Sequence, residues 1–280
     1  MEIGYCLSID ELYRTEGLEM DFVDLSGQEI SIISENEFNL VCRLLKRRGL
    51  KCRGIHSTFP PEIKLAGAQS KDKDVLTYFE NLAVRCRSLE VQYIGIGSPS
   101  SRSLMIEDKK EEADRRLSEY IKKFCDIAPF ADILLENLNP GECNYLNTVE
   151  DVGRVISMTD RDNAGILLDL YHFYLTEKTL AGISQTEKKK IRYLHFAEPE
   201  DRSYPGRYAA SKIKELFLEA IQEFGACPAA VEAVTDNVRA DLQKSRNTLA
   251  EWESEYAKRI SEEKENTGGN CSGKTCGMES

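Results

Sequence analysis

Short apolar runs alternate with longer amphipathic stretches eight times along this chain, and few folds accommodate that rhythm. The runs are Ile3–Cys6, Met20–Leu25, Leu50–His56, Val91–Ile96, Ala131–Leu135, Ala164–Leu168, Ile191–Leu194 and Ala229–Val231. Their length and aliphatic content predict strands. Between them, apolar residues recur three and four positions apart. Phe38, Val41, Leu44 and Leu45 do so before Gly49, and Ile213, Leu216, Phe217, Ala220, Ile221 and Phe224 do so before Gly225. Val75, Tyr78, Phe79 and Leu82 form another stripe. This spacing predicts helices with one buried face, and the two glycines read as helix stops. Asp108–Ile127 reads as a long charged helix and Thr148–Met158 as a shorter one. Thr148, with Asp151 three residues on, resembles a capping box with Asp in place of Glu.

Eight strand-then-helix units in a chain of 280 residues predict a single closed (β/α)8 TIM barrel over residues 1–265. The alternative is an open doubly wound sheet, which wants a glycine-rich phosphate loop after its first strand. Here Leu7-Ser8-Ile9-Asp10 reads as a loop without those glycines. After the barrel, residues 236–265 read as a charged helix carrying the sole tryptophan, Trp252. Residues 266–280 are nearly devoid of apolar side chains and are expected to form a disordered tail. Two thiols in that tail, Cys271 and Cys276, have no further ligands beside them for a zinc site and read as an incidental pair. The other seven cysteines stand singly in apolar or helical segments, as small core side chains do in a reducing compartment.

The net charge of −11 argues against nucleic acid or an anionic membrane as partner, while an acidic pocket attracts cations. No apolar run approaches the ~18 residues of a membrane span. Met1–Asp10 lacks a basic start followed by an apolar stretch. The expectation is a cytoplasmic protein without a membrane partner.

Chemistry enters where four of the runs end. ADILL ends in Glu136, AGILL in Asp169, IRYL in His195 and AAV in Glu232. The intervals are each about one strand-helix unit. In a parallel barrel all strands open on one face at their C-terminal ends, where active sites lie. Ligand-type residues at four successive ends would therefore converge. Three carboxylates and one imidazole suit a single divalent cation such as Mn²⁺, Mg²⁺ or Co²⁺, and three buried carboxylates without one would repel each other.

The surrounding motifs carry a family resemblance over about Ile3 to Asn237. They are Glu136-Asn-Leu-Asn-Pro-Gly-Glu142 followed by Asn144-Tyr-Leu-Asn-Thr148, Leu168-Asp-Leu-Tyr-His172, His195-Phe-Ala-Glu-Pro-Glu-Asp-Arg202-Ser-Tyr-Pro-Gly206 and Val231-Glu-Ala233. With these the chain resembles the xylose isomerase-like barrel superfamily, and within it the sugar phosphate isomerases and epimerases that include the ketose 3-epimerases. The resemblance implies that Glu136, Asp169, His195 and Glu232 bind the metal, with Mn²⁺ the first choice. It implies that Glu142, His172 and Arg202 contact a small sugar or sugar phosphate. It implies too that Glu136 and Glu232 flank the reacting carbon as an acid/base pair, removing and returning the acidic proton beside a carbonyl through a metal-stabilised enediolate. Epimerisation and isomerisation stay open, as does self-association, which is common in the family.

Further residues belong to the same face. His56 ends the third run and would line the pocket of a barrel. Gly97-Ser-Pro-Ser-Ser-Arg102 is a candidate backbone phosphate cradle, without the P-loop pattern. Tyr5 and Phe59 are candidates for apolar cover over a sugar ring, with core packing as their default. A repair endonuclease on this scaffold would want many histidines, and the chain has three. The remaining alternatives are a polyol dehydratase and a non-catalytic sugar-binding barrel. The second has no need of two poised glutamates.

Overall fold

Each of the eight apolar runs forms a strand in the computed structural model of the protein, which describes residues 2–225 and 227–268, with side chains through residue 262. The strands are β1 (Ile3–Leu7), β2 (Phe22–Ser26), β3 (Lys51–His56), β4 (Tyr93–Ile96), β5 (Asp132–Glu136), β6 (Ala164–Asp169), β7 (Ile191–Phe196) and β8 (Ala229–Val231). Every neighbouring pair is parallel, and β8 closes on β1 with Ile3 opposite Ala229. The (β/α)8 barrel is thus the architecture, and the open sheet is excluded. Glu136, Asp169 and His195 belong to the ladders themselves, Asp169 lying opposite His195, while Glu232 follows β8 directly.

Helices wrap the outside. They are α1 (Ile9–Arg14), α2 (Gly27–Ile32), α3 (Glu35–Arg48), α4 (Asp72–Ser88), α5 (Pro99–Arg102), α6 (Lys110–Ile127), α7 (Val149–Thr159), α8 (Leu170–Thr176), α9 (Gln185–Lys188), α10 (Lys214–Phe224) and α11 (Val238–Gly268). The loop expected at Leu7–Asp10 is cut short by α1. Ser8 there accepts the Glu11 backbone N–H, and the Glu11 carboxylate reaches back to the Ser8 N–H, a full capping box that starts a helix at once. Ser34 and Glu37 do the same for α3, which stops at Gly49 in the left-handed region (φ 61°). At α7 the box is only half made. Thr148 accepts the Asp151 N–H, but the Asp151 carboxylate is held by Lys110 (2.8 Å) and Arg154 (2.7 Å) instead of reaching back.

Two apolar layers result. A large core fills the space between strands and helices, and Tyr5 and Phe59 both lie in it, so neither covers a ligand. A smaller cluster of Cys6, Phe22, Leu134, Leu167, Tyr193 and Ala230 plugs the barrel interior. The side chains of the stretch Gly97–Arg102 serve the fold. Ser98 Oγ accepts the Phe59 N–H, Ser101 Oγ donates to the Pro60 carbonyl, and Arg102 Nη1 donates to the Glu136 carbonyl.

The charged last helix docks along one stripe. Val238, Leu242, Leu249 and Trp252 are buried, and the Trp252 ring lies 5.9 Å from that of Phe217 on α10. Trp252→Ala should therefore lower stability by about 3–5 kcal/mol, read by circular dichroism in a urea titration because the variant has no tryptophan left. A loss below ~1 kcal/mol would show the helix to be peripheral. The seven cysteines among the described residues are all free. Cys271, Cys276 and the rest of 269–280 lie outside the described residues. Among the described residues no helix is long and apolar enough to cross a membrane.

Candidate metal centre and active site

Side chains of a strand alternate between faces, so a residue two positions beyond an interior residue also points inward. Leu134, Leu167, Tyr193 and Ala230 plug the barrel. Two positions further on stand Glu136, Asp169, His195 and Glu232. All four are thereby aimed at the barrel axis at the C-terminal mouth. One ligand atom from each lies within 4.8 Å of the others. The convergence expected from the sequence is what the structure contains.

Each donor is fixed by its own surroundings. Asp169 divides its carboxylate between two tasks. Oδ1 caps α8 by accepting the N–H groups of Tyr171 (2.7 Å) and His172 (3.1 Å), whereas Oδ2 has no hydrogen-bond partner. Asn137 ties the ends of β5 and β6 together, accepting the Asp169 N–H at 3.0 Å and donating to its carbonyl at 3.2 Å. Glu136 is buried, with its Oε1 unpartnered, and packs over Gly97, where a Cβ would stand 2.0 Å from Glu136 Oε2. His195 Nδ1 makes no hydrogen bond and lies 3.4 Å from Glu232 Oε2 and 3.9 Å from Glu136 Oε1.

The electrostatics explain what such a cluster requires. Burial, with the charges of Glu232 and Asp169, pushes the Glu136 carboxyl well above the usual carboxylate range. Burial pushes Glu232 in the same direction, but the Arg202 guanidinium and the imidazoles of His195 and His56 hold it well below that range. Three carboxylates thus share a site served by Arg202 and, behind Glu136, by the fully buried Arg102. Glu142 adds a fourth acid at the rim. Negative charge is in surplus where water is scarce, and three inward atoms lack partners. The residues fit a hard or intermediate divalent cation, since its charge and coordination would satisfy both deficits.

The four residues assigned to substrate form the rim. Arg202 Nη2 donates to Glu232 Oε2 at 2.7 Å and lies 3.6 Å from Asp169 Oδ2, while its Nη1 lies 3.4 Å from both oxygens of Glu142. Its guanidinium stacks on the Tyr171 ring at 4.9 Å. His172 is buried beside Asp169, and its Nδ1 accepts from the Asn139 amide Nδ2 at 2.8 Å. Burial shifts its titration downward, which keeps it neutral near pH 7. His56 Nδ1 stands 3.4 Å from Glu232 Oε1. The eight residues assigned to metal or substrate from the sequence are therefore gathered at one mouth.

The sequence reading missed Asn137, Asn139, Arg102 and Asp24. Asp24 carried a visible signal, as a carboxylate inside the otherwise apolar run MDFVDL. Two surface clefts of about 560 Å³ each lie elsewhere. One is lined by Asp72, Asp108 and Arg116 on the helical exterior, and the other by Lys51, Arg53 and Gln92 at the opposite end of the barrel. Donor chemistry, not volume, marks the site.

Comparison with known proteins gives a consistent picture. The model of one family, described as a xylose isomerase-like TIM barrel, matches residues 15–260. An inosose isomerase from Bacillus subtilis (strain 168) is 29% identical over 166 residues, which span 54% of this chain and 57% of that protein. A D-psicose 3-epimerase from Ruminiclostridium cellulolyticum is 27% identical over 196 residues, spanning 68% of this chain and 66% of that one. The chain thus aligns with little more than half the length of the first of these relatives. A solved structure of the IOLI protein with a bound zinc atom shares the fold, with a TM-score of 0.69 and 19% identity over 91% of this chain and 99% of that one.

Proposed function

The chain belongs to the xylose isomerase-like TIM barrel family, and from that footing we propose that it is a divalent-metal-dependent sugar isomerase or epimerase. The observation that carries this reading is the set of four donor atoms at the ends of β5 to β8, three of them buried without hydrogen-bond partners. The relatives named inosose isomerase and D-psicose 3-epimerase support the reaction class, and the zinc in the IOLI structure supports a divalent ion. Mn²⁺ is our first choice among Mn²⁺, Mg²⁺ and Co²⁺, since the donors are mostly oxygen with one nitrogen. The seven cysteines among the described residues, all free, support a reducing, cytoplasmic setting.

Glu136, Asp169, His195 and Glu232 would hold the ion. When bound, it supplies polarisation of a substrate carbonyl and neighbouring hydroxyl. The remaining work falls to the chain's own side chains. Glu136 and Glu232 enter from non-adjacent strands on either side of His195 and serve as the proton-transfer pair, one taking the proton beside the carbonyl and the other returning it. Arg202, held on Tyr171 and Glu142, grips substrate oxygens together with His172, Glu142 and His56. The apolar plug beneath keeps water from below the reacting carbon.

Solvent deuterium tests this directly. A panel of ketoses, ketose phosphates and cyclic ketopolyols incubated in D₂O with Mn²⁺ or Co²⁺ should show exchange of one carbon-bound proton beside the carbonyl, read by proton NMR. Chelation should abolish the exchange and restored metal should recover it. At metal concentrations of ~100 Kd the ion should also stabilise the fold by about 2.7 kcal/mol, visible as a raised melting temperature. Substrate binding with no exchange on any member of the panel would leave only the sugar-binding barrel. Loss of water from a ketopolyol would select the dehydratase.

A further inference from the structure

We infer that Asp24 and Tyr193 are positioning residues that aim His195, holding its Nε2–H so that Nδ1 is left bare for the metal. The inference rests on the reading of His195 as a metal ligand. Asp24 stands in the middle of β2, two residues beyond Phe22 and therefore inward, and is 1% exposed. Its neighbours inside the barrel are Cys6, Phe22 and Tyr193, a place where an unpartnered carboxyl is strongly unfavourable. The fold makes room for it all the same. On β3 the facing position is Gly54, where a Cβ would stand 2.6 Å from the Asp24 carboxyl.

The polar contacts of this carboxyl run through one oxygen, and Oδ1 is buried without a hydrogen-bond partner. Oδ2 accepts the Tyr193 hydroxyl at 2.7 Å and lies 3.4 Å from His195 Nε2 and 4.0 Å from Cys6 Sγ. Tyr193 is itself immobilised, stacked on Tyr93 at 4.7 Å and meeting the His195 ring edge-on at 5.4 Å. The imidazole thus has two distinct sides. Nε2 looks down the barrel at Asp24 and at Cys6 Sγ (3.7 Å), and Nδ1 looks up at Glu136 and Glu232. A neutral imidazole has one proton to place. Acceptors beneath Nε2 retain it there, orient the ring and leave the Nδ1 lone pair to the ion, as outer-shell carboxylates do for ligating histidines.

Zinc affinity, measured by chelator competition on the full chain, separates positioning from packing. Asp24→Leu fills the volume without an acceptor and should weaken Zn²⁺ binding about 10- to 100-fold. Asp24→Asn restores an acceptor oxygen and should recover most of that loss. Tyr193→Phe keeps the ring stack and should fall between the two. Nitrogen-15 NMR of the zinc-loaded protein is tractable with three histidines, and should show His195 protonated at Nε2 and ligating through Nδ1. Ligation through Nε2, or wild-type zinc affinity in folded Asp24→Leu and Tyr193→Phe, would overturn the inference while leaving the metal site standing. Wild-type chain that takes up no zinc, cobalt or manganese would overturn the metal reading, and this inference with it.

Discussion

Glu136→Gln and Glu232→Gln should each reduce turnover by at least ~10³-fold, because on the proposed mechanism each removes a proton-transfer group worth ~10²–10⁴ and an anionic metal ligand together. The two variants should differ in everything else. Glu136 is buried beside two other carboxylates and is pushed toward its protonated form. Its neutral isostere removes a repulsion, so the metal-free Glu136→Gln protein should be no less stable than the parent. Glu232 is held ionised by Arg202 Nη2 at 2.7 Å and by two imidazoles. Its replacement leaves a guanidinium short of its counter-charge, so Glu232→Gln should unfold at lower urea. Activity and urea midpoints on the same preparations give both comparisons. Turnover within tenfold of the parent in either variant would dispose of the two-carboxylate mechanism.

Gly97→Ala should lower turnover by ~10²-fold while changing stability by less than ~1 kcal/mol. The methyl group would arrive 2.0 Å from Glu136 Oε2, and the only yielding partner is the end of that side chain. Glu136 must swing aside, and a displacement of about an ångström from the productive position is enough for a loss of this size. The fold has little else to lose there. A double variant checks the route of the effect. In a Glu136→Gln background the added methyl should have almost no further consequence for turnover, since coupled positions are not additive. An equal loss in both backgrounds would mean that Gly97 acts elsewhere, through the loop or the Arg102 anchor.

Most of the barrel was legible because both periodicities are strong. The strands Ala229–Val231 and Ala164–Asp169 coincide with their apolar runs to within a residue. What could not be read were the short helices. Residues 7–10 look like a plain connection until the reciprocal bonds of Ser8 and Glu11 are known, and the weak capping signal at Thr148 is diverted by Lys110 and Arg154, which lie on other turns or another helix. The four donors were legible because a polar residue ending an apolar run is conspicuous. Asp24 escaped because it interrupts a run instead of ending it, and its meaning depends on Tyr193 across the barrel, 169 residues away in sequence. Arg102 escaped because nothing in a serine-rich loop announces that an arginine will be fully buried there.

All four donors stand at the C-terminal ends of β5 to β8, and His56 is the one assigned rim residue from the first half of the barrel. The division has a consequence for how such an enzyme can diversify. On the proposed function, the loops that follow β1 to β3 could be lengthened, shortened or recoloured without touching the four donors, whereas the loop after β4 carries Gly97 and Arg102 against Glu136. A lineage could thus explore new sugars on one side of the mouth while its reactive half stays intact. A chimera that exchanges only those early loops between members should therefore inherit its preference for substrate from one parent and its metal chemistry from the other.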